Sequence, residues 1–77
     1  MKEKVLAILN ESHPEFDFSE ENIDFIEQGM LDSFDIVTLI SDFEEQLGIQ
    51  VAGSEVLPEN FANVNSIVEL LERSVKL

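Results

Sequence analysis

A small all-α domain, a four-helix bundle of three longer amphipathic helices and one short one, is what this 77-residue sequence predicts. Three observations carry that reading. Apolar residues recur at helical spacing in three separate stretches, near both ends and in the middle. Start and stop residues bracket the middle stretch on both sides. The aperiodic stretch 14–31 still carries Phe16, Phe18, Ile23, Phe25 and Ile26, so it reads as a long loop packed across the bundle, between helices 1 and 2. No internal repeat, low-complexity tract or linker interrupts the chain, and residues 1–77 are expected to form one domain.

The first helix spans Met1 to Ser12, with Val5, Ile8, Leu9 and Ser12 on one side, and ends before His13-Pro14, where proline disfavours a helical predecessor. In the loop, Ser19-Glu20-Glu21 suits the cap of a short helical turn. The strongest period follows: Ile36, Ile40, Phe43 and Leu47, flanked by Val37 and Leu39, predict a helix from Ser33 to Leu47. Asp32 suits its N-cap and Asp35 its N3 position, so two carboxylates face the unpaired N–H groups and the positive end of the helix dipole. Gly48 supplies the stop. Ile49 and Val51 lead into a Gly-Ser turn, and Leu57–Phe61, with Pro58 near its start, predicts the short third helix. Val64, Ile67, Val68, Leu71 and Val75 predict a last helix running to about Lys76, capped by Asn65 or Ser66, with Ser66-x-x-Glu69 as a capping box.

Charge narrows the partners. The formal net charge is −13, from four Lys/Arg against 17 Asp/Glu, and no Lys or Arg occurs between Val5 and Glu72. Nucleic acid and anionic membranes are poor partners for such a surface, and a charge-steered partner must be basic. The apolar run Val5–Leu9 is too short for a signal-peptide core or a membrane span, which points to the cytoplasm. A chain this small cannot hollow out its core for a large pocket, so a self-sufficient enzyme is disfavoured and a monomeric binding module favoured. With no Cys, the chain has no thiolate metal site, disulfide or thiol nucleophile. Its single His13 has no co-ligands in the sequence. The loops beginning at Asp17 and Asp24 fail the calcium-loop pattern, one for want of its glycine and the other because Ile26 stands at a ligand position.

Chemistry concentrates in Gly29-Met30-Leu31-Asp32-Ser33-Phe34-Asp35, where a serine opens the best helix. Capping alone accounts for an Asp-Ser pair at such a place. No residue is positioned in the sequence to activate Ser33 as a nucleophile, since His13 lies in a separate loop and no lysine is near. A phosphoryl group esterified to Ser33, by contrast, would sit where a helix start favours an anion, although Asp32 and Asp35 oppose it. On the ideal helix, Ser33 and Ile40 differ by only about 20° in azimuth, placing the serine at the end of the core-facing side. The six Phe residues read as core and loop packing. Asp35, Thr38, Asp42 and Glu45, with Glu44 beside them, form a polar stripe that reads either as a solvated face or as a docking surface for basic partners.

These residues resemble the acyl and peptidyl carrier proteins. The likeness runs through the N-terminal helix, the loop ending in Phe25-Ile26-Glu27-Gln28-Gly29-Met30-Leu31, then Asp32-Ser33-Phe34 where the family typically has Asp-Ser-Leu, and the helices beyond. The resemblance implies that Ser33 carries a covalent 4′-phosphopantetheine drawn from coenzyme A, with Asp32 the adjacent motif residue. It implies a non-catalytic carrier of an activated acyl or aminoacyl group held as a thioester. Its partners would be a phosphopantetheinyl transferase, an adenylating ligase and a downstream acceptor, docking on Asp35, Thr38, Asp42, Glu44 and Glu45. Many members have an acid where Thr38 stands, a departure that argues against good recognition by the enzymes of primary fatty-acid synthesis. Gly29-Met30-Leu31-Asp32-Ser33, Ser54-Glu55 and Asn60–Glu69 are similar to the stand-alone D-alanyl carriers of teichoic acid modification, which implies D-alanine as cargo. The competing expectation is an unmodified acidic helical adaptor that binds a basic protein, with Asp32-Ser33 only a cap.

Overall fold

A computed structural model describes residues 1–20 and 23–76. Helix α1 spans Lys2–Ser12 and buries Val5, Ile8 and Leu9. It stops where expected: the His13 N–H still donates to Leu9 O at 2.9 Å, and Pro14 then has no N–H to continue the ladder.

Helix α2 spans Ser33–Leu47, the range expected from the sequence. Its seam is Ile36, Leu39 and Phe43, while the expected stripe members Ile40 and Leu47 are half-buried on its flank. The seam has turned toward Leu39 because α2 is wedged between α1 and the segment that precedes the last helix, and one stripe cannot face both. At its end Gly48 adopts φ 65°, a left-handed cap that a side chain would strain, and donates its N–H to Glu44 O.

Beyond Gly48 the chain departs from a pure helical bundle. Ile49–Gln50 forms a short strand, β1, and two single 3-10 turns follow at Gly53–Glu55 and Pro58–Phe61. The second of these stands where a short third helix was expected, so the described residues hold three α-helices. Helix α3 spans Val64–Glu72, capped by Asn63, whose Oδ1 accepts the Ser66 N–H at 2.8 Å. The cap thus lies two or three residues before the expected Asn65 or Ser66, and Ser66, now at N3, receives a cap instead of opening a capping box with Glu69.

Helix α3 also ends earlier than the expected Lys76. The Ser74 hydroxyl bonds back to Leu70 O, and Val75–Lys76 leaves as strand β2, pairing antiparallel with β1 in the register Ile49↔Lys76 and Gln50↔Val75. Val75, expected on the apolar stripe, is 66% exposed, and Leu70 is fully buried in its place. Arg73 clamps the return, with its guanidinium on the Glu55 carboxylate and on Asn60 Oδ1.

The long loop is packed, as its hydrophobes required. Phe18 and Phe25 are fully buried and meet edge to face with ring centroids 5.1 Å apart. The Phe25 N–H donates to Ala62 O at 2.7 Å, and Phe25 O accepts from both Met30 and Leu31, so one residue fastens the loop to the turn before α3 and folds it back toward α2. Asp24 Oδ1 accepts the Ile26 and Glu27 N–H groups, and Gly29 at φ 72° turns the chain into the helix start. The expected cap at Ser19-Glu20-Glu21 runs into Glu21, which lies outside the described residues; Ser19 itself donates hydroxyl and N–H to the Asp17 carboxylate, which lowers the Asp17 pKa from its ordinary range.

Candidate functional site

The start of α2 is organised by two aspartates. Asp32 Oδ1 accepts the Asp35 N–H at 2.9 Å while Asp35 Oδ2 accepts the Asp32 N–H at 3.1 Å, a reciprocal capping box with Asp in both roles. Asp32 O also accepts the Ile36 N–H. The Ser33 and Phe34 N–H groups are then the first-turn donors left without an acceptor among the described residues. Ser33, the first helical residue, is exposed, and its hydroxyl has no hydrogen-bond partner among the described residues. Met30 and Leu31, buried immediately upstream, anchor the turn from behind.

An exposed hydroxyl beside two free N–H donors at the positive end of a 15-residue helix fits a phosphodiester on Ser33 Oγ. The carboxylates that would oppose it are each held by a backbone N–H. Among the described residues no base touches the Ser33 hydroxyl. His13, however, is not remote from the site as its place in the sequence suggested. Its Nε2 lies 3.2 Å from Asp35 Oδ1, so the end of α1 reaches the capping box.

The polar stripe of α2 divides. Asp35 is committed to the box and to His13, Asp42 Oδ2 accepts the Ser12 hydroxyl at 3.3 Å, and Glu44 Oε2 accepts the Val51 N–H at 2.9 Å. Thr38 is exposed, its hydroxyl donating to Phe34 O, and Glu45 is exposed. Between these polar residues lie two side chains whose exposure the sequence did not reveal. Phe34, expected to pack, is 78% exposed, and Val37, one turn on, is 63% exposed. The period itself held the signal, because Phe34 and Val37 fall off the Ile36–Leu39–Phe43 seam. An apolar pair therefore stands beside the serine on the outer face of α2.

Two clefts among the described residues lie away from this turn. One, between α1 and the far end of α2, is lined by Lys4, Ala7, Ile8, Glu11, Gln46 and Leu47. A smaller one lies between the loop and the second 3-10 turn, beside Asp24, Ile26 and Pro58. No helix among the described residues is long and apolar enough to cross a membrane.

Residues 1–71 match the family model described as the phosphopantetheine attachment site. The chain is 41% identical over 73 residues to the D-alanyl carrier protein of Bacillus cereus (strain B4264), covering 92% of this chain and 91% of the relative. The same identity and coverage hold for the D-alanyl carrier protein of Bacillus anthracis (strain CDC 684 / NRRL 3495). Members of the matched family attach 4′-phosphopantetheine covalently, and carriers of this kind work with transferases and ligases. An exposed serine hydroxyl at a helix start, set in a small helical domain whose residues 1–71 match that family, places the chain among the phosphopantetheine-attachment carrier proteins.

Proposed function

We propose that residues 1–77 form one non-catalytic carrier domain in which Ser33 is the attachment serine, Asp32 its adjacent motif residue, and D-alanine the cargo. The observation that carries the site is the Ser33 hydroxyl at the first turn of α2, which among the described residues has no hydrogen-bond partner and no base in contact, with two N–H donors beside it that no described residue claims. When bound, 4′-phosphopantetheine supplies the terminal thiol on which the acyl or aminoacyl group is held as a thioester. The protein's own residues present that arm: the Asp32–Asp35 box fixes the turn, and buried Met30 and Leu31 hold it to the core. The D-alanine assignment is supported by the relatives named D-alanyl carrier protein at 41% identity.

Docking of a phosphopantetheinyl transferase, an adenylating ligase and a downstream acceptor is assigned to the outer face of α2. Phe34 and Val37 form its apolar centre, Thr38 and Glu45 lie alongside, and Asp35, Asp42 and Glu44 flank it. The net charge of −13 favours basic partners and a monomeric carrier; the same proposal places it in the cytoplasm. The test is the intact mass of wild type and Ser33→Ala after incubation with coenzyme A, magnesium and a broad-specificity phosphopantetheinyl transferase. A single phosphopantetheine on wild type and none on the variant is expected, followed by mass addition from D-alanine in preference to other amino acids with an adenylating ligase and ATP. An unmodified wild type, under conditions that modify a control carrier, would return Asp32-Ser33 to a capping role and leave an acidic adaptor as the reading.

A further inference from the structure

We propose that His13 is a positioning residue for Ser33, acting through Asp35; the functional part of this inference rests on Ser33 being the attachment serine. His13 is fixed from several sides. Its N–H closes α1 on Leu9 O, its carbonyl accepts the Phe16 N–H at 3.2 Å, and its ring lies against Phe16 and Phe18 with centroids 6.2 and 6.3 Å away. From that seat Nε2 reaches Asp35 Oδ1 at 3.2 Å, with Nδ1 3.9 Å from Glu15 Oε1. Both side chains are mostly shielded, 21% exposed for His13 and 24% for Asp35.

The two oxygens of Asp35 are thus divided between two tasks. Oδ1 faces the imidazole and Oδ2 accepts the Asp32 N–H, the peptide immediately before Ser33. The imidazole, 3.2 Å from Oδ1, packs against the carboxylate and holds it in the orientation that turns Oδ2 toward that peptide. Without it the Asp35 side chain regains its rotamers, the box loses one member, and the first turn samples more conformations. A second contact acts in the same direction, since Ser12 binds Asp42 two turns along the same face of α2. His13 is also the one side chain between Val5 and Glu72 that can carry a positive charge, and it is directed at the capping box of an otherwise acidic helix start.

The experiment compares wild type, His13→Ala, His13→Gln and Asp35→Asn by residue-resolved amide hydrogen exchange on the unmodified chain. It adds steady-state transferase kinetics with the carrier as varied substrate. His13→Ala should speed exchange at Asp32 and Asp35 by roughly fivefold or more, as for loss of one hydrogen bond, with a smaller effect at core amides such as Phe43 and Leu71. The KM for the carrier should rise with kcat little changed. His13→Gln, whose side-chain amide can donate from nearly the same place, should restore both readouts, and Asp35→Asn should reproduce the His13→Ala kinetics. Equal acceleration at all amides, no acceleration at Asp32 and Asp35, or failure of Gln to rescue would overturn the proposal. If the transferase leaves wild type unmodified, the attachment reading falls, and the exchange data alone decide whether His13 orders the turn.

Discussion

Two phenylalanines nine residues apart on α2 should respond to truncation in opposite ways. Phe43 is wholly buried on the seam with Ile36 and Leu39, while Phe34 is 78% exposed beside Ser33. Truncating a buried Phe to Ala removes its transfer free energy and leaves a cavity, a cost of about 3–5 kcal/mol. For a chain of 77 residues the whole folding free energy is about 4–12 kcal/mol, so Phe43→Ala forfeits about a quarter or more of it. At about 4–8 °C per kcal/mol for a domain of this size, the midpoint should fall by roughly 12–40 °C. Phe34→Ala removes a side chain that touches mostly solvent and should stay within about 0.5 kcal/mol of wild type. Its effect should appear instead in docking, as a raised KM with transferase or ligase. Urea melts of both variants, run beside loading assays at a temperature where both are folded, separate the two effects. A Phe34→Ala loss above about 2 kcal/mol, or unimpaired loading with every partner, would refute the placement of that side chain on an outward docking face.

Other outcomes follow from single contacts. Gly48→Ala should cost about 1 kcal/mol, read as a lowered urea midpoint. A Cβ there meets nothing within 4 Å, so the cost is that of holding alanine at φ 65°. Ser19 lowers the Asp17 pKa below its ordinary 3.8, so the interaction's stabilisation is present above that value and is lost as pH falls through the lowered one. The stability gap between wild type and Ser19→Ala should therefore be constant near neutral pH and close in acid, with the Asp17 titration, followed by NMR, moving upward in the variant. Magnesium at low ionic strength should raise the melting temperature, because 17 acids face only four Lys/Arg. An unchanged temperature would count against self-repulsion as a significant cost.

What the sequence disclosed and what it withheld divide by the range of the interaction. Both ends of α2 were legible because Asp32, Asp35 and Gly48 act within a few residues of themselves, through backbone groups that the helix must satisfy. The packed loop was legible in outline from its aromatic content, but not the backbone bond from Phe25 to Ala62, which spans elements far apart in sequence. Helix α3 was overextended because Val75 continues the apolar period; its pairing partner, Gln50, is invisible to any local pattern. The same limit applied at the site. The place of Ser33 at the start of α2 was readable from its own neighbourhood, whereas the reach of His13 to Asp35 depends on how α1 packs across α2. The acids of α2 looked alike in the sequence, and only the fold distinguishes those that answer internal donors from Glu45, which faces solvent.

The pairing of Ile49–Gln50 with Val75–Lys76 determines where an added group leaves the molecule. Strand β1 follows directly on the last turn of α2, so β2 carries the chain back to the pole opposite Ser33. Fifteen helical residues separate the two poles by about 20 Å. A reporter, affinity handle or surface tether joined after Lys76 would therefore project away from the serine and from Phe34 and Val37. A handle at that end leaves an enzyme a clear approach to the opposite one, so immobilised chain should be modified as readily as chain in solution.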